Sequence, residues 1–292
     1  MQQHIQLLVI DPQNDFCDLP DTYLPRDPKT GASVHPALPV TGAHADMQRL
    51  ARLIDAGGAG LSDIAVTLDS HHRLDIAHPT FWHRRDGAAW SAVSPFTPIT
   101  AQQVRSGEFQ PRDPDALPRT LAYLDELESR GRYTLMVWPV HCEMGTWGHN
   151  VHADVRTSYN AWEERHLRAV DLVSKGENPW TEHYSAVLAE VPDASDPHTQ
   201  LNAALLARLD AADAIVIAGE ASSHCVRATT EHVVAHLPSG RPERITILTD
   251  CMSPVAGFAA EHEAFLADMR GRGVRLARAA EVIPELQANA AS

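Results

Sequence analysis

Short apolar runs alternate along the chain with longer stretches in which apolar residues recur at helical spacing. The apolar runs are rich in β-branched residues and lie at residues 5–10, 64–68, 133–138, 169–173, 214–218, 245–248 and 274–276. Unbroken runs of this kind are typical of strands that are buried on both faces of a sheet.

Amphipathic stretches separate most of these runs and predict helices at residues 46–56, 117–130, 199–209, 225–237 and 259–272. Strands that alternate with helices predict an α/β fold with a doubly wound parallel sheet. Residues 12–42 and 79–118 are rich in proline and charge and show no clear period. This pattern predicts long loops, which are expected to lie over the ligand crevice at the carboxyl ends of the strands. Residues 288–292 are expected to form a disordered tail.

Polar or reactive side chains follow the predicted strands. In an open parallel sheet the ligand crevice lies outside the carboxyl ends of the strands. Five consecutive strand ends carry such groups, namely Asp11, Asp69, His141 with Cys142, Lys175, and the turn at residues 219–225. The sequence therefore predicts a site at this edge of the sheet.

Composition narrows the classes of partner. The 292 residues carry a formal net charge of -14, which argues against nucleic acid and anionic membranes because both call for a surplus of Lys and Arg. No stretch approaches the roughly 18 apolar residues of a membrane span, and no secretory signal is evident, so a cytoplasmic protein is expected. Four cysteines without a CxxC pair fit neither a disulfide framework nor a thiolate zinc site, and leave room for a reactive thiol.

Cys225 closes the turn between an apolar strand and an amphipathic helix. At a helix N-terminus the free backbone N–H groups and the dipole lower the pKa of a thiol and can hold an oxyanion. From this turn alone, a small buried structural cysteine is an equally good interpretation. Asp11 could take the thiol proton, and Lys175 could pair with both, although a lone strand-end lysine is more often a surface residue. Together these groups favour a nucleophile.

Asp69, His71 and His141 form a second group. An Asp-x-His pair at a strand end points both side chains the same way, and a third imidazole from the next strand end completes a metal set. Such a set suits Zn, Fe or Mn better than Ca or Mg. The sequence does not decide whether His78 is a metal ligand, and both roles stay open. His72 is expected to be exposed to solvent.

The remaining side chains near these groups have simpler interpretations. Phe16 and Trp138 are candidate walls of a slot for a planar ligand, although each alone is more often ordinary core. Asp15 is expected to be a turn or helix-cap residue, and Cys142 a structural residue with a ligand role as the alternative.

These motifs resemble the nicotinamidase/pyrazinamidase branch of the isochorismatase-like cysteine hydrolases. The resemblance covers most of the chain and is carried, in the family's order, by residues 11–16, 69–71, 138–148, 174–185 and 219–227. It implies a single domain over residues 1–292 with a three-layer αβα fold and a six-stranded, mostly parallel sheet.

The resemblance also implies roles for individual residues. It assigns a catalytic triad of Asp11, Lys175 and Cys225, and a divalent metal on Asp69, His71 and His141. It further implies a cis peptide between Glu220 and Ala221 and an oxyanion hole made by the N–H groups of Ala221 and Cys225.

The chain departs from the family pattern in places. An insert at about residues 79–137 is much longer than in small nicotinamidases and is expected to form a lid or an extra subdomain. It carries Trp82, Trp90 and Phe96. Ser223 stands where an aspartate often precedes His-Cys, so the identity of the amide stays open.

The sequence thus predicts a homo-oligomeric amidohydrolase that cleaves a small, nicotinamide-like carboxamide through a thioester on Cys225, with Zn the favoured metal and Fe or Mn the alternatives. A metallohydrolase whose metal-bound hydroxide attacks directly is one rival. A catalytically silent ligand-binding homologue is another. The branch that cleaves a vinyl ether is disfavoured by the complete triad and metal set.

Overall fold

The computed structural model describes residues 2–292 and is built around a parallel sheet. Six strands form this sheet in the order β11-β10-β9-β1-β2-β8, and all five pairings are parallel. The strands of the chain are β1 Ile5–Ile10, β2 Asp63–Asp69, β3 Trp82–Asp86, β4 Ala89–Ala92, β5 Thr97–Ile99, β6 Phe109–Pro111, β7 Leu135–Val137, β8 Asp171–Lys175, β9 Ala214–Gly219, β10 Ile245–Leu248 and β11 Arg275–Ala277. The predicted α/β fold with a six-stranded sheet is confirmed.

Helices flank the sheet. They are α1 Ala43–Gly57, α2 Ala101–Arg105, α3 Leu117–Ser129, α4 Ala153–His166, α5 Ala203–Ala211, α6 Cys225–His236, α7 Ala259–Gly271 and α8 Ala279–Ala290. Helix α1 packs against α4 and α8, while α6 packs against α7 and against the central strands β1 and β9. Every residue of β1 is buried, as expected for a central strand with both faces covered. None of the helices in residues 2–292 is long and apolar enough to cross a membrane.

The prediction that residues 133–138 form a strand of the parallel sheet is wrong. Strand β7 pairs antiparallel with β5 in a separate two-stranded sheet. Hydrophobic content identified a strand but could not identify its partner. The segment after β7 still lies beside the loop that follows β2, because the N–H of Trp138 donates to Ala77 O at 2.7 Å and that of His71 donates to Cys142 O at 3.0 Å.

The loop prediction for residues 79–118 is also wrong. This segment contains β3, β4 and β6, which form a three-stranded antiparallel sheet, together with β5 and α2. A second hydrophobic cluster, which includes Trp82 and Phe109, lies beneath these elements. Its strands are three to five residues long, too short to show a period in the sequence.

The C-terminus is ordered further than expected. Helix α8 extends to Ala290, so the predicted tail at residues 288–292 is largely helical. Its Asn289 side chain donates to Gly60 O at 2.9 Å and to Gln3 O at 3.0 Å. Gly60 must be glycine here, since a Cβ would lie 1.9 Å from Leu286 O. These contacts fix the last helix onto the segments that precede β1 and β2. By contrast, residues 12–42 form the predicted irregular segment, with short 3₁₀ turns.

Candidate active site

Four neighbouring strands bring the candidate catalytic groups to one edge of the sheet. Asp11 directly follows β1, Asp69 ends β2 and Lys175 ends β8, and the last two are register partners. Gly219, which ends β9, is the register partner of Ile10. The turn at residues 220–225 therefore starts beside Asp11, at the edge that parallel-sheet enzymes use for ligands.

Lys175 lies at the centre of this group. Its Nζ is 2.9 Å from Asp11 Oδ2 and 2.8 Å from Asp69 Oδ1, and it lies 3.6 Å from the Sγ of Cys225. It also donates to the backbone oxygen of His183 at 3.0 Å. All of these side chains are buried. The structure thus brings together Asp11, Lys175 and Cys225, which are far apart in sequence.

The charges of this group support one another. Burial alone would lower the pKa of Lys175, but Asp11 and Asp69 outweigh it and hold that pKa well above its usual value. Burial alone would raise the pKa of Asp69, but His71 and Lys175 outweigh it and hold that pKa well below its usual range. A buried ammonium is therefore held between two carboxylates, of which Asp69 is firmly ionised.

The thiol does not have the lowered pKa expected from its helix terminus. Burial raises the pKa of Cys225 well above its usual value, and Lys175 offsets only part of this effect. Burial also raises the pKa of Asp11, against the opposing effect of Lys175. Loss of solvation outweighs the helix N-terminus because Cys225 is only 6% exposed. The protonated thiol is therefore the favoured form, and a nucleophilic role would require a nearby base to take its proton.

Two side chains that the sequence did not single out hold the carboxylates in place. Thr67 accepts from the backbone N–H of Asp11 at 3.0 Å, and its hydroxyl donates to Asp11 Oδ1. The amide of Gln13 donates to Asp69 O and accepts from Asp69 N, both at 2.8 Å. Gln13 lies within the Asp-Pro-Gln motif, and that position was its only sequence signal.

The turn before α6 leaves backbone donors free beside the thiol. The peptide bond between Glu220 and Ala221 is cis. Among residues 2–292 the backbone N–H groups of Ala221 and Cys225 have no hydrogen-bond acceptor. Gly219 has a φ of 129°, and a Cβ at this position would lie 1.9 Å from Ile10 O. Only glycine lets the turn approach β1 this closely.

The candidate metal ligands converge on one carboxylate oxygen. Asp69 Oδ2 is 3.1 Å from His71 Nε2 and 3.3 Å from His141 Nε2. The ring of His78 packs edge-on against the rings of both histidines, and its Nε2 lies 3.3 Å from His141 Nδ1. Burial and the neighbouring imidazoles lower the pKa of His78 to about 2, so this ring is neutral. His72 is exposed, as expected.

Asp75, which the sequence analysis missed, orients His71. Its Oδ2 lies 3.1 Å from His71 Nδ1, and its Oδ1 accepts from Ala77 N at 2.8 Å. A carboxylate that accepts from Nδ1–H leaves the lone pair of Nε2 free for a metal. The four-residue spacing from His71 to Asp75 was a signal that could have been used.

A narrow cavity of about 20 Å³, open at its mouth, lies beside Cys225. Phe16 and Trp138 both line it, as do Tyr184, His224 and Glu182, which were not predicted as binding residues. Trp138 is held in place because its Nε1–H donates to the Tyr184 hydroxyl at 3.0 Å. Its lining combines aromatic side chains with the thiol, Asp69 and His141, a composition typical of sites for small flat ligands, although such a ligand needs more room than this conformation leaves.

Asp15 and Cys142 have structural surroundings. The carboxylate of Asp15 accepts from Cys142 N at 2.7 Å and from Ala37 N at 2.9 Å. Gly148 packs against this carboxylate so closely that a Cβ would lie 2.2 Å from it. Asp15 therefore joins the irregular segment at residues 12–42 to the loop between β7 and α4, in which Cys142 is fully buried.

Comparisons with known proteins were made for sequence and for structure. No family model matches the sequence, and no curated protein matches it. Solved structures do match over nearly the whole chain. A nicotinamidase/pyrazinamidase from Acinetobacter baumannii superposes with a TM-score of 0.60 at 19% identity, covering 96% of this chain and 98% of the other.

Two further structures give the same result. Yeast nicotinamidase gives a TM-score of 0.60 at 20% identity, with 93% and 98% of the two chains covered. A Pyrococcus horikoshii pyrazinamidase, solved in complex with zinc, gives 0.51 at 18% identity, with 94% and 99% covered. At these identities the likeness shows a shared fold. The chain thus has the fold of the nicotinamidases and pyrazinamidases, as the motifs in its sequence indicated.

Proposed function

We propose that the protein is an amidohydrolase that converts a small aromatic carboxamide to the carboxylic acid and ammonia through a thioester on Cys225. The contact of one buried ammonium, on Lys175, with Asp11, Asp69 and the thiol carries this proposal. The likeness in fold to nicotinamidases over nearly the whole chain supports the choice of an amide bond.

In the first half-reaction Asp11 takes the proton of Cys225. Moving a proton between two buried neighbours leaves the net charge of the site unchanged. Burial therefore opposes this transfer less than it opposes ionisation of the thiol on its own. The thiolate then attacks the carboxamide carbon. The resulting oxyanion is positioned to accept from the free N–H groups of Ala221 and Cys225.

Collapse of this intermediate breaks the C–N bond. Asp11 returns the proton to the leaving nitrogen, and ammonia departs while the acyl group stays on Sγ as a thioester. In the second half-reaction Asp11 accepts a proton from water, whose oxygen attacks the thioester carbon. The carboxylic acid leaves, and Cys225 regains its proton. Lys175 keeps its charge throughout and stabilises whichever partner is anionic.

The side chains at the polar end of the cavity fit a divalent metal. One carboxylate oxygen with two or three imidazole nitrogens is a donor set that suits Zn, Fe or Mn. Asp69, His71 and His141 would hold the ion, with His78 as a further nitrogen donor. When bound, the ion supplies a coordination position for a heteroatom of the substrate and for water. Asp69 also pairs with Lys175, so it belongs to both groups.

The insert at residues 79–137 covers one side of the cavity in this proposal. Phe96, which is 53% exposed, packs edge-on against Trp138 with ring centroids 5.9 Å apart. Trp82 lies in the core of the insert, and Trp90 is exposed on its outer hairpin. Of the three aromatic residues expected at a lid, Phe96 is the one whose ring packs on an aromatic residue of the cavity wall.

A panel of carboxamides, assayed for ammonia release with and without a chelator, tests this function. We expect turnover of aromatic amides such as nicotinamide, with a large rise in KM after metal removal. Alkylation of the thiol should abolish turnover whether or not the metal is bound. Loss of activity on chelation alone, with alkylation harmless, would instead support attack by metal-bound hydroxide. No ammonia from any amide, and no acyl-enzyme by mass spectrometry, would support a silent binding protein.

Replacing Asp75 with asparagine should weaken metal binding by about 10–100-fold. The new side chain keeps an acceptor for Ala77 N but turns a donor toward His71 Nδ1, which favours the tautomer whose Nε2 carries the proton and cannot ligate. Calorimetric titration of the metal-free protein with Zn²⁺ measures the effect without an activity assay. Asp113→Asn, an exposed change, is the matched control. Equal Zn²⁺ affinity of the Asp75→Asn variant and the wild type would contradict the role given to Asp75.

A further inference from the structure

Glu182 is a buried carboxylate in the wall of the cavity that the proposed mechanism does not use. It lines the cavity beside Cys225 and Trp138 and is 4% exposed. Its Oε1 accepts from His183 N at 3.0 Å, whereas its Oε2 is buried without a partner among residues 2–292. A buried acceptor in this condition costs about 1–3 kcal/mol, more if it is charged, so it calls for an explanation.

The backbone around Glu182 is fixed on both sides. Its N–H donates to the Tyr123 hydroxyl at 3.1 Å, and its carbonyl accepts from Glu190 N at 2.9 Å. The next carbonyl, that of His183, accepts from Lys175 Nζ at 3.0 Å. The backbone that carries this side chain is therefore held at a wall that Cys225 also lines.

The other carboxylate in the wall has no acceptor to spare. Both oxygens of Asp69 are engaged, Oδ1 by Lys175 and Oδ2 by His71 and His141. In the rest of the wall, the Tyr184 hydroxyl already accepts from Trp138 Nε1–H, and His224 offers a ring nitrogen rather than a carboxyl group. A ligand N–H or O–H that reaches Glu182 thus meets, in Oε2, a carboxyl oxygen that no donor of residues 2–292 occupies.

We infer that Glu182 sets substrate specificity by accepting a hydrogen bond from a donor group on the ring of the amide. This inference rests on the proposed function and refines it. The preferred substrates are aromatic carboxamides that carry an N–H or O–H substituent, rather than an unsubstituted ring. An apolar substituent of the same size leaves the carboxylate unpaired and is discriminated against.

Binding to the Cys225→Ala variant, which cannot form the thioester, separates recognition from chemistry. The ligands are pairs of aminonicotinamide and methylnicotinamide substituted at the same ring position. The two members of a pair are similar in size, but only the amino compound carries a hydrogen-bond donor. Binding is measured by calorimetric titration at mildly alkaline pH. The best amino isomer should bind about 10–100-fold more tightly than its methyl partner.

Glu182→Gln in the same background keeps an acceptor for His183 N and replaces the free oxygen by an NH₂ donor. The preference for the amino isomer should disappear in this variant. Glu190→Gln is the matched control, because Glu190 is also a buried glutamate with an unpartnered oxygen but does not line the cavity. It should keep the preference. Thermal unfolding checks that each variant is folded.

The outcomes separate the two claims. Turnover of nicotinamide by the wild type, with equal binding of every amino and methyl pair, would overturn the specificity role and leave the amidase intact. If the preference for the amino isomer survives the Glu182→Gln substitution, the specificity role is likewise overturned and the amidase proposal is unaffected. Selective binding without ammonia release would leave recognition standing and defeat the proposed reaction. No binding of any of these amides would overturn both.

Discussion

Replacing Cys225 with alanine should lower kcat for ammonia release by about 10⁴-fold or more, because the variant has no atom that can form the thioester. The fold should survive, since the change removes one small group from the wall of a cavity. Steady-state ammonia release on the best amide, together with thermal unfolding, measures both effects. Cys251→Ala is the matched control, since Cys251 is a buried thiol that does not line the cavity.

Two results would contradict the assignment of Cys225 as the nucleophile. Wild-type amidase activity in the Cys225→Ala variant would remove Cys225 from the mechanism. Equal loss in the Cys251→Ala variant would indicate a general sensitivity to lost thiols. Mass spectrometry of the wild type, quenched during turnover, should show the acyl group on a peptide that contains Cys225.

Replacing Lys175 with methionine should lower the free energy of unfolding by about 3–5 kcal/mol and abolish turnover. Methionine fills much of the space but leaves Asp11 and Asp69 as buried carboxylates without their cation. Lys29, the other lysine of the chain, is exposed, and Lys29→Met is the matched control. Denaturant unfolding of the two variants and the wild type gives the comparison.

The pH dependence of the Lys175→Met variant follows from the same charges. Lys175 lowers the pKa of Asp11 in the wild type, so its loss raises that pKa further above the unfolded value. A carboxylate whose folded pKa is raised destabilises the protein as pH rises through the unfolded and then the folded pKa. The loss in free energy of unfolding of the variant, relative to wild type, should therefore be largest at neutral pH and smaller in mild acid. A deficit that is constant with pH would point to lost packing instead.

Much of the fold could be predicted because its signals are local. The runs at residues 5–10 and 245–248 coincide with β1 and β10, since buried parallel strands are continuously apolar. Helix α4 was missed because it is mostly polar, with Val155, Tyr159 and Trp162 as its main buried apolar side chains. The strand at residues 133–138 was assigned to the wrong sheet, because pairing depends on a distant segment.

The residues of the candidate site also differ in whether the sequence carries a local signal for them. Asp11, Lys175 and Cys225 could be found because each directly follows or ends an apolar strand, or starts a helix, at the same edge of the sheet. Thr67 and Asp75 act through contacts that only the folded chain creates. The raised pKa of Cys225 could not be predicted either, because it depends on how completely the thiol is removed from water.

Asp69 imposes a constraint on how this site can be dissected or engineered. One of its oxygens faces Lys175 and the other faces the candidate metal ligands. A substitution there would disturb the nucleophile and the metal set together, so its phenotype could not be credited to either. Under the proposed function, any change at Asp69 would therefore alter metal affinity and thiol reactivity together.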